Sequence, residues 1–557
     1  LAYRLNYSPN LRWYDLNNFS PVYQKNGLNN TGNASRRTDF NRTWVLENIV
    51  TYNKEINQNH AFDLTLLYGR NQSFSRSLVG SGVDFTGSSD ANGWDNLSLA
   101  KIQTTTSNAS QIDAISSMAR LNYRFKNRYL FTFTARRDGN SVFGSNNKFG
   151  TFPSAALAWI ITDEPFMSKM TNVNSLKLRA SYGSVGNQAV NPYQSLTRQS
   201  QGQYVFGDGG STSVGLFPAN MANPNLTWET TSTTNIALDF ELLKSRIGGT
   251  IEWYNLDTKD LLLNRQLPSP TGFASVLTNV GATNNKGVEI TVNTLNLKKD
   301  DWEWTSSLAF SRNNNKVVNI YKSDVNGDGQ EDDDIANGWF IGKPIQNIYD
   351  YTFDGIYQVD DQIPVGHKAG FVKVKDLNGD GAISAADRSV IGNRDAKTRW
   401  SLTNNVRYRN FNFMVMLNSL SGWQAVNYLG ANSELVTTTV SGNFPSRVTN
   451  FQDLGWWTVE NKSNTRSSLV YNNPLATAAG LIESRNFVRI QEVSISYNVP
   501  KNLLNNLKIS SVSVFASARN LYTFTKWTGM DPESGYNDRT NIFPTPRTSS
   551  LGLTVSF

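Results

Sequence analysis

The sequence predicts an all-β chain, a transmembrane antiparallel β-barrel with long loops at one end and short turns at the other. Three observations point there. Apolar and polar residues alternate with period two in segment after segment, the links between segments alternate between short and long, and the final strand closes on an aromatic residue.

The alternation is cleanest over Ser175–Tyr182. Leu176, Leu178, Ala180 and Tyr182 fall on one face, and Ser175, Lys177, Arg179 and Ser181 on the other. Ala119–Phe125 and Tyr129–Ala135 read as a hairpin around the polar turn 126–128. Trp400–Tyr408 and Phe411–Leu417 form a second around 409–410, and Val488–Tyr497 with Ile509–Leu521 a third. Further strands are expected over Val45–Tyr52, Ala61–Tyr68, Ser154–Ile161, Asn235–Leu242, Ile247–Asn255, Gly287–Thr294, Trp302–Ser311 and Leu551–Phe557. The spacing of these segments predicts roughly 14–18 strands.

Short links are read at 126–128, 243–246 and 409–410. Long ones are read at 69–117, 136–152, 183–227, 256–285, 312–398, 422–487 and 522–549. One strand decides nothing, because a soluble sandwich alternates too. The repeated short–long asymmetry is what a barrel with an extracellular face supplies.

Composition agrees. The 557 residues carry 52 Lys+Arg against 45 Asp+Glu, with 14 Trp, 22 Tyr and 29 Phe. A mean hydropathy of −0.43 is compatible with strands that are apolar on one face only. No apolar run reaches the ~18 residues of a membrane helix. The chain has no Cys, which removes disulfides and Cys-based zinc sites. A scattered net charge of +7 forms no basic block, so nucleic acid is not expected as a partner. Leu1 opens directly into an alternating stretch, and the chain is read as a fragment or processed piece of something longer.

The sharpest chemical motif runs from Asp376 to Asp387. Asp376, Asn378 and Asp380 occupy positions one, three and five of an EF-hand-like loop, and Gly381 position six. Ala382 offers a backbone carbonyl, Ser384 a direct or water-mediated oxygen, and Asp387 the closing carboxylate. Calcium is the cation this oxygen set suits, as a brace for a long loop; the bland alternative is an acidic turn without metal. Asp324, Asn326 and Asp328 begin the same way, but Ile335 stands at the twelfth position, so this second site is weaker.

Arg136, Arg137 and Asp138 follow a strand and can pair within the lumen wall. Lys177 and Arg179 are expected to face the lumen. Trp339, Phe340, Trp423, Trp456 and Trp457 lie in long links, where stacking on sugars competes with loop packing. His60 and His367 are the only imidazoles, and neither has an enzyme-motif context, so no catalytic site is expected.

Several segments in order resemble the SusC/RagA family of Bacteroidota outer-membrane transporters. They include Arg136-Arg137-Asp138-Gly139-Asn140-Ser141-Val142-Phe143-Gly144, Phe152-Pro153-Ser154, Gly186-Asn187-Gln188, Asn223-Pro-Asn-Leu-Thr-Trp228-Glu229, Asn279-Val-Gly281 and Asp531-Pro532-Glu533. The terminal Gly552, Val555 and Phe557 resemble the signal read by the barrel-assembly machinery.

The resemblance implies a 22-stranded barrel of which this chain, 1–557, holds most but not all strands. It implies a plug and TonB-contact segment upstream, reaching TonB-ExbB-ExbD, and a SusD-like surface lipoprotein as lid; Arg136, Arg137 and Asp138 would then be placed to contact substrate or that lid, and Lys177 and Arg179 to pair with plug carboxylates, the preferred role for these two. Outer-membrane lipid surrounds such a barrel, and its cargo is an oligosaccharide or peptide. Residues 312–398 would be a long extracellular loop region holding the loop 376–387. The competing readings are a passive porin, a barrel reused as an assembly partner, and a soluble calcium-loop module.

Overall fold

A computed structural model describes residues 1–20, 23–25, 28–30, 32–85, 94–205, 212–324, 327–427, 455–468, 477–504, 509–529, 531–533 and 545–557, with the backbone alone for 23–25 and 28–30. Sixteen strands hydrogen-bond in chain order into one antiparallel sheet. They are β1 (Ala2–Ser20), β2 (Asn33–Ile56), β3 (His60–Phe85), β4 (Ala100–Phe125), β5 (Tyr129–Asn140), β6 (Phe149–Ile160), β7 (Val173–Asn187) and β8 (Glu229–Leu242). They continue as β9 (Ile247–Lys259), β10 (Ala282–Lys299), β11 (Trp302–Asn319), β12 (Thr398–Tyr408), β13 (Phe411–Ser421), β14 (Phe487–Asn498), β15 (Ser511–Thr525) and β16 (Thr548–Ser556). No helix among the described residues is long and apolar enough to cross a membrane, which says nothing of crossing by strands.

The short links fall where the sequence places them. Lys126 and Asn127 between β4 and β5, and Leu243, Lys244 and Ser245 between β8 and β9, adopt left-handed backbone. Left-handed turn residues match the twist of two tightly connected strands.

The long links are shorter than expected. The stretch 69–117 is mostly strand, since β3 runs to Phe85 and β4 starts at Ala100. The physical reason is composition. Beyond Tyr68 the strands are rich in Ser, Thr, Gly and Arg, so both faces are polar and period two leaves no hydrophobic trace. β3 and β4 have 26 residues each, against the 9–11 that a tilted strand needs to cross a bilayer.

Contacts divide the chain into two units. The first comprises residues 1–159, 180–234 and 256–282, and the second 160–179, 235–255 and 283–557. In the first, register fixes two unlike faces. Leu64, Leu66 and Tyr68 share one face of β3 and pair with Tyr52, Val50 and Asn48 of β2. Asp63, Thr65, Asn71 and Ser73 lie on the other face. The apolar face is the one a barrel turns to lipid. Near the short turns aromatic rings stack, Phe62 on Tyr123 at 4.7 Å and Phe125 near Tyr129 at 6.1 Å, as in an interfacial girdle.

In the second unit Trp302 and Tyr408 (4.4 Å), and Phe411 and Tyr497 (4.7 Å), repeat that arrangement. Leu551, Leu553 and Val555 share a face of β16, opposite Ala516, Val514 and Val512 of β15, and the Phe515 ring covers Gly552.

Candidate functional site

In the first unit the motif segments meet at one place, above the ends of β5, β6 and β7. Phe143 and Leu226 are fully buried, with Val142, Phe152, Val190 and Trp228 around them. The Trp228 ring lies 4.5 Å from Phe143 and meets Phe152 edge-on at 5.5 Å, and its Nε1 donates to the Lys148 carbonyl at 3.3 Å. Gly144 lies against the Pro224 carbonyl so closely that any Cβ would collide, and its N–H donates to the Leu226 carbonyl at 2.9 Å.

Side-chain amides lock the surrounding turns. Asn140 donates to Gln188 at 2.6 Å and accepts from the Val142 N–H at 3.1 Å. Asn279 accepts from the Thr227 N–H and donates to the Thr227 carbonyl, both at 2.8 Å. Asn187 donates to Glu229, which also accepts the Leu262 N–H. These motifs therefore build a packed base for the loops, with amides satisfying backbone groups that a loop leaves unpaired.

Beside this core lies a cavity of about 310 Å³ lined by Glu47, Asn71, Ser116, Arg136, Asp138, Asn187, Gln188 and Trp228, among others. Arg136 and Asp138 share a face, and the Arg136 Nε donates to both carboxylate oxygens at 3.0 and 2.8 Å. Arg137 is separated from them. It pairs opposite Ser117, in the row of Tyr68, and its guanidinium stacks on Phe149 at 4.9 Å on the apolar face. The expected trio is thus a pair plus one residue pointing the other way, because adjacent strand residues alternate.

In the second unit Arg179 finds its acids within the sheet. It donates to Asp239 through Nε (2.7 Å) and Nη2 (2.9 Å), and Glu252 lies 3.9 Å away. Thr250 donates to Asp239 at 3.0 Å. Pairing with plug carboxylates, the preferred expectation, is not needed to satisfy this guanidinium; Lys177 sits two residues away and acts on the same Asp239.

The stretch after β11 forms its own small core in this unit. Tyr351, Ile356, Val372, Val374, Trp457 and Ala479 are buried together. Trp456 and Phe340 are also buried, so these rings pack the loops and are not available for stacking on sugars. Trp339 and Trp423 are partly buried.

The loop 376–387 leaves this core from the strand at Val372–Val374. Asp376 accepts the N–H groups of Gly379 (2.7 Å) and Gly381 (2.8 Å), and Asp380 accepts that of Ala382 (2.8 Å). Gly381 has φ +81°, the left-handed turn that position six requires. Asp387 is fully buried and accepts from Ser384 and Leu377, both at 2.8 Å, and from Asn378 at 3.4 Å. The backbone N–H of Ser384, then those of Leu377 and Asn378, hold its carboxyl below the usual range against the opposing effect of burial.

The oxygen donor set fits a hard cation, although among the described residues no three carboxylates are gathered at metal-holding distance. In the second acidic stretch Asp324 accepts from Gly327, Asp328 and Gly329, and Glu331 closes the turn on the N–H groups of Ile320 and Lys322. Asn326 lies outside the described residues.

One site escapes the sequence reading. Arg489 is buried and donates to Asp531 at 2.7 Å; it also pairs with Glu533, and donates to Thr523 at 3.0 Å. Close by in the chain, Arg485 lies between the rings of Trp423 (4.3 Å) and Trp527 (5.3 Å). Burial would raise the Asp531 carboxyl, but hydrogen bonds from Thr545 and from the Glu533 backbone, with the Arg489 charge, hold it below the usual range. The only sequence signal was the Asp531-Pro532-Glu533 motif, which gave no hint of its partner.

Comparison with known proteins matches this arrangement. The family model described as TonB dependent receptor-like, beta-barrel covers residues 1–521. TonB-dependent receptor P26 of Formosa agariphila is 31% identical over 100% of this chain and 59% of its own length. TonB-dependent receptor SusC of Bacteroides thetaiotaomicron is 30% identical over 91% of this chain and 49% of its own. The chain therefore spans about half the length of the curated relatives it matches. Among solved structures, the RagAB peptide importer in the open-open state superposes with TM-score 0.77 at 21% identity, over 99% of this chain and 62% of that one. A packed base of loop motifs, a sixteen-strand antiparallel sheet with unlike faces and a family match over most of its length place this chain in the TonB-dependent receptor β-barrels of the outer membrane.

Proposed function

We propose that the protein to which this barrel belongs imports oligosaccharides or peptides across the outer membrane. A SusD-like lipoprotein closes the loop face, and TonB-ExbB-ExbD supplies the energy through a segment upstream of the barrel. The observation that carries this reading is the likeness to SusC over 91% of the chain. The polar cavity supports it. Glu47, Asn71, Ser116 and the Arg136–Asp138 pair offer charged, amide and hydroxyl groups of the kind that bind sugar hydroxyls or a peptide backbone. The role is transport without catalysis.

The test is uptake of labelled oligosaccharides and peptides by cells with and without the receptor, before and after a protonophore. Receptor-dependent uptake that stops with the proton gradient is expected. Uptake that survives the protonophore would assign a passive porin and overturn the reading.

We further propose that Asp376, Asn378, Asp380, the Ala382 carbonyl, Ser384 and Asp387 hold a structural Ca²⁺ that braces the loop. The Asp324–Asp328 stretch is a weaker site of the same kind, though its Glu331 is engaged by backbone. The motif spacing and the left-handed Gly381 support the first site. Protection of residues 376–387 from hydrogen exchange should rise with micromolar to millimolar Ca²⁺ and be lost in Asp376→Ala. Exchange unchanged by Ca²⁺ in the wild-type protein would refute the site.

A further inference from the structure

Beyond the Tyr68 row, the apolar face of β2 and β3 changes character. Register places Leu46 with Arg70, Trp44 with Gln72, Arg42 with Phe74 and Phe40 with Arg76 in successive rows. Arginine and aromatic residues thus alternate along and across the two strands. Arg70 lies over Trp44 at 5.9 Å, Arg42 over Phe74 at 5.6 Å and Arg76 over Phe40 at 5.8 Å. Gln72 fixes the pattern, accepting from Arg42 (3.1 Å) and Trp44 (3.3 Å) and donating to Asp113 (2.9 Å).

These three arginines differ from those of the opposite face. There Arg37 pairs with Asp39, and Arg136 with Asp138. Among the described residues no carboxylate lies within ion-pair distance of Arg42, Arg70 or Arg76, and all three are exposed. Asp113 is the one acid in these rows; Gln72 and Gln111 donate to its two oxygens and its charge acts on Arg70, which leaves three guanidiniums against one carboxylate. An excess of positive charge therefore stands on the side that meets lipid.

Height locates it. The short turn at 57–59 marks one end of the barrel wall. Arg70 and Arg76 lie about ten and about sixteen residues beyond His60, or roughly 25 and 40 Å up a strand tilted by ~40°. The apolar band of a barrel is ~25 Å tall. The ladder begins at its upper edge and continues above it, next to the headgroups of the leaflet on the long-loop side.

We propose that the Arg70–Arg42–Arg76 ladder binds the phosphate groups of an anionic glycolipid in the outer leaflet. Guanidinium forks match phosphate oxygens in bidentate pairs, and a ring beneath each guanidinium holds it in place for that contact. The site continues the lipid-facing surface directly, with Tyr68 and Leu66 in the rows below it to meet acyl chains.

The test uses the full-length receptor, delipidated in detergent and titrated with bisphosphorylated lipid A or its dephosphorylated form in mixed micelles. The wild-type protein and Arg12→Gln, which removes a charge from the opposite face of the neighbouring strand, should bind the phosphorylated lipid at least ~10-fold more tightly than the double variant R42Q/R76Q. The dephosphorylated lipid should bind all three alike. Equal binding of the two lipids by the wild-type protein overturns the proposal without recourse to any variant. Equal affinity of the folded double variant, checked by its heat-modifiable mobility on gels, overturns it independently.

Discussion

Replacing Trp228 by Ala tests whether the shared motifs act by packing. The indole is 6% exposed and touches Phe143 and Phe152. Burying an aromatic side chain of ~200 Å² is worth ~5 kcal/mol at ~25 cal/mol per Å², and measured Trp→Ala costs run ~3–5 kcal/mol. The loss also removes one of the two hydrogen bonds that the Lys148 carbonyl accepts, the other coming from the Asn140 N–H. The cost should appear locally, because β2 to β5 are held by long ladders that do not involve this cluster. Hydrogen exchange followed by mass spectrometry reads it directly. The Gly144 and Asn146 amides, bonded to the Leu226 and Pro224 carbonyls, should exchange ~100-fold faster or more. Peptides covering 60–68 and 119–125, around the Phe62–Tyr123 ring pair, should be unchanged. Acceleration of less than ~3-fold at 142–146 would refute the packing role, since 3 kcal/mol corresponds to roughly two decades.

Two further outcomes follow from the same geometry. Asp531→Asn leaves the buried Arg489 with Glu533 as its remaining carboxylate among the described residues, and should cost ~3 kcal/mol in protection of the loops around 527–533. Because the Asp531 carboxyl is held low, its contribution is complete above the ordinary carboxylate range and is lost as pH falls through its native value. Wild-type loop protection should therefore stay flat from pH 8 to 5 and decline only below about 4, and a decline starting near neutrality would contradict the assignment. Deleting Phe557 should leave most of the chain unassembled in the envelope, scored by loss of the heat-modifiable folded form, if Gly552, Val555 and Phe557 carry the assembly signal; normal assembly would reject that role.

Legibility in the sequence tracked burial on one face. Where a strand is apolar on one side, as at Leu176–Tyr182 or Phe411–Leu417, period two located it and its short turn closely. Where both sides meet water or polar groups, as over Arg70–Val83 and Ile102–Asp113, strands looked like loops, because hydrogen-bonded pairing leaves no pattern in side-chain hydropathy. The site behaved alike. The i, i+2 pair Arg136–Asp138 could be anticipated from one strand, whereas Arg179–Asp239 and Arg489–Asp531 join residues 60 and 42 positions apart. Only register and loop packing bring those together. For Trp456 and Trp457 the sequence left sugar stacking and loop packing both open; both rings are buried, Trp457 within the loop core.

The most direct test of the central claim is the structure of the complex purified from native outer membranes. A plug seated inside this barrel and a lipoprotein over the loop face would agree with an energised importer of the SusC type. A barrel that is empty, or filled and covered by unrelated proteins, would contradict it.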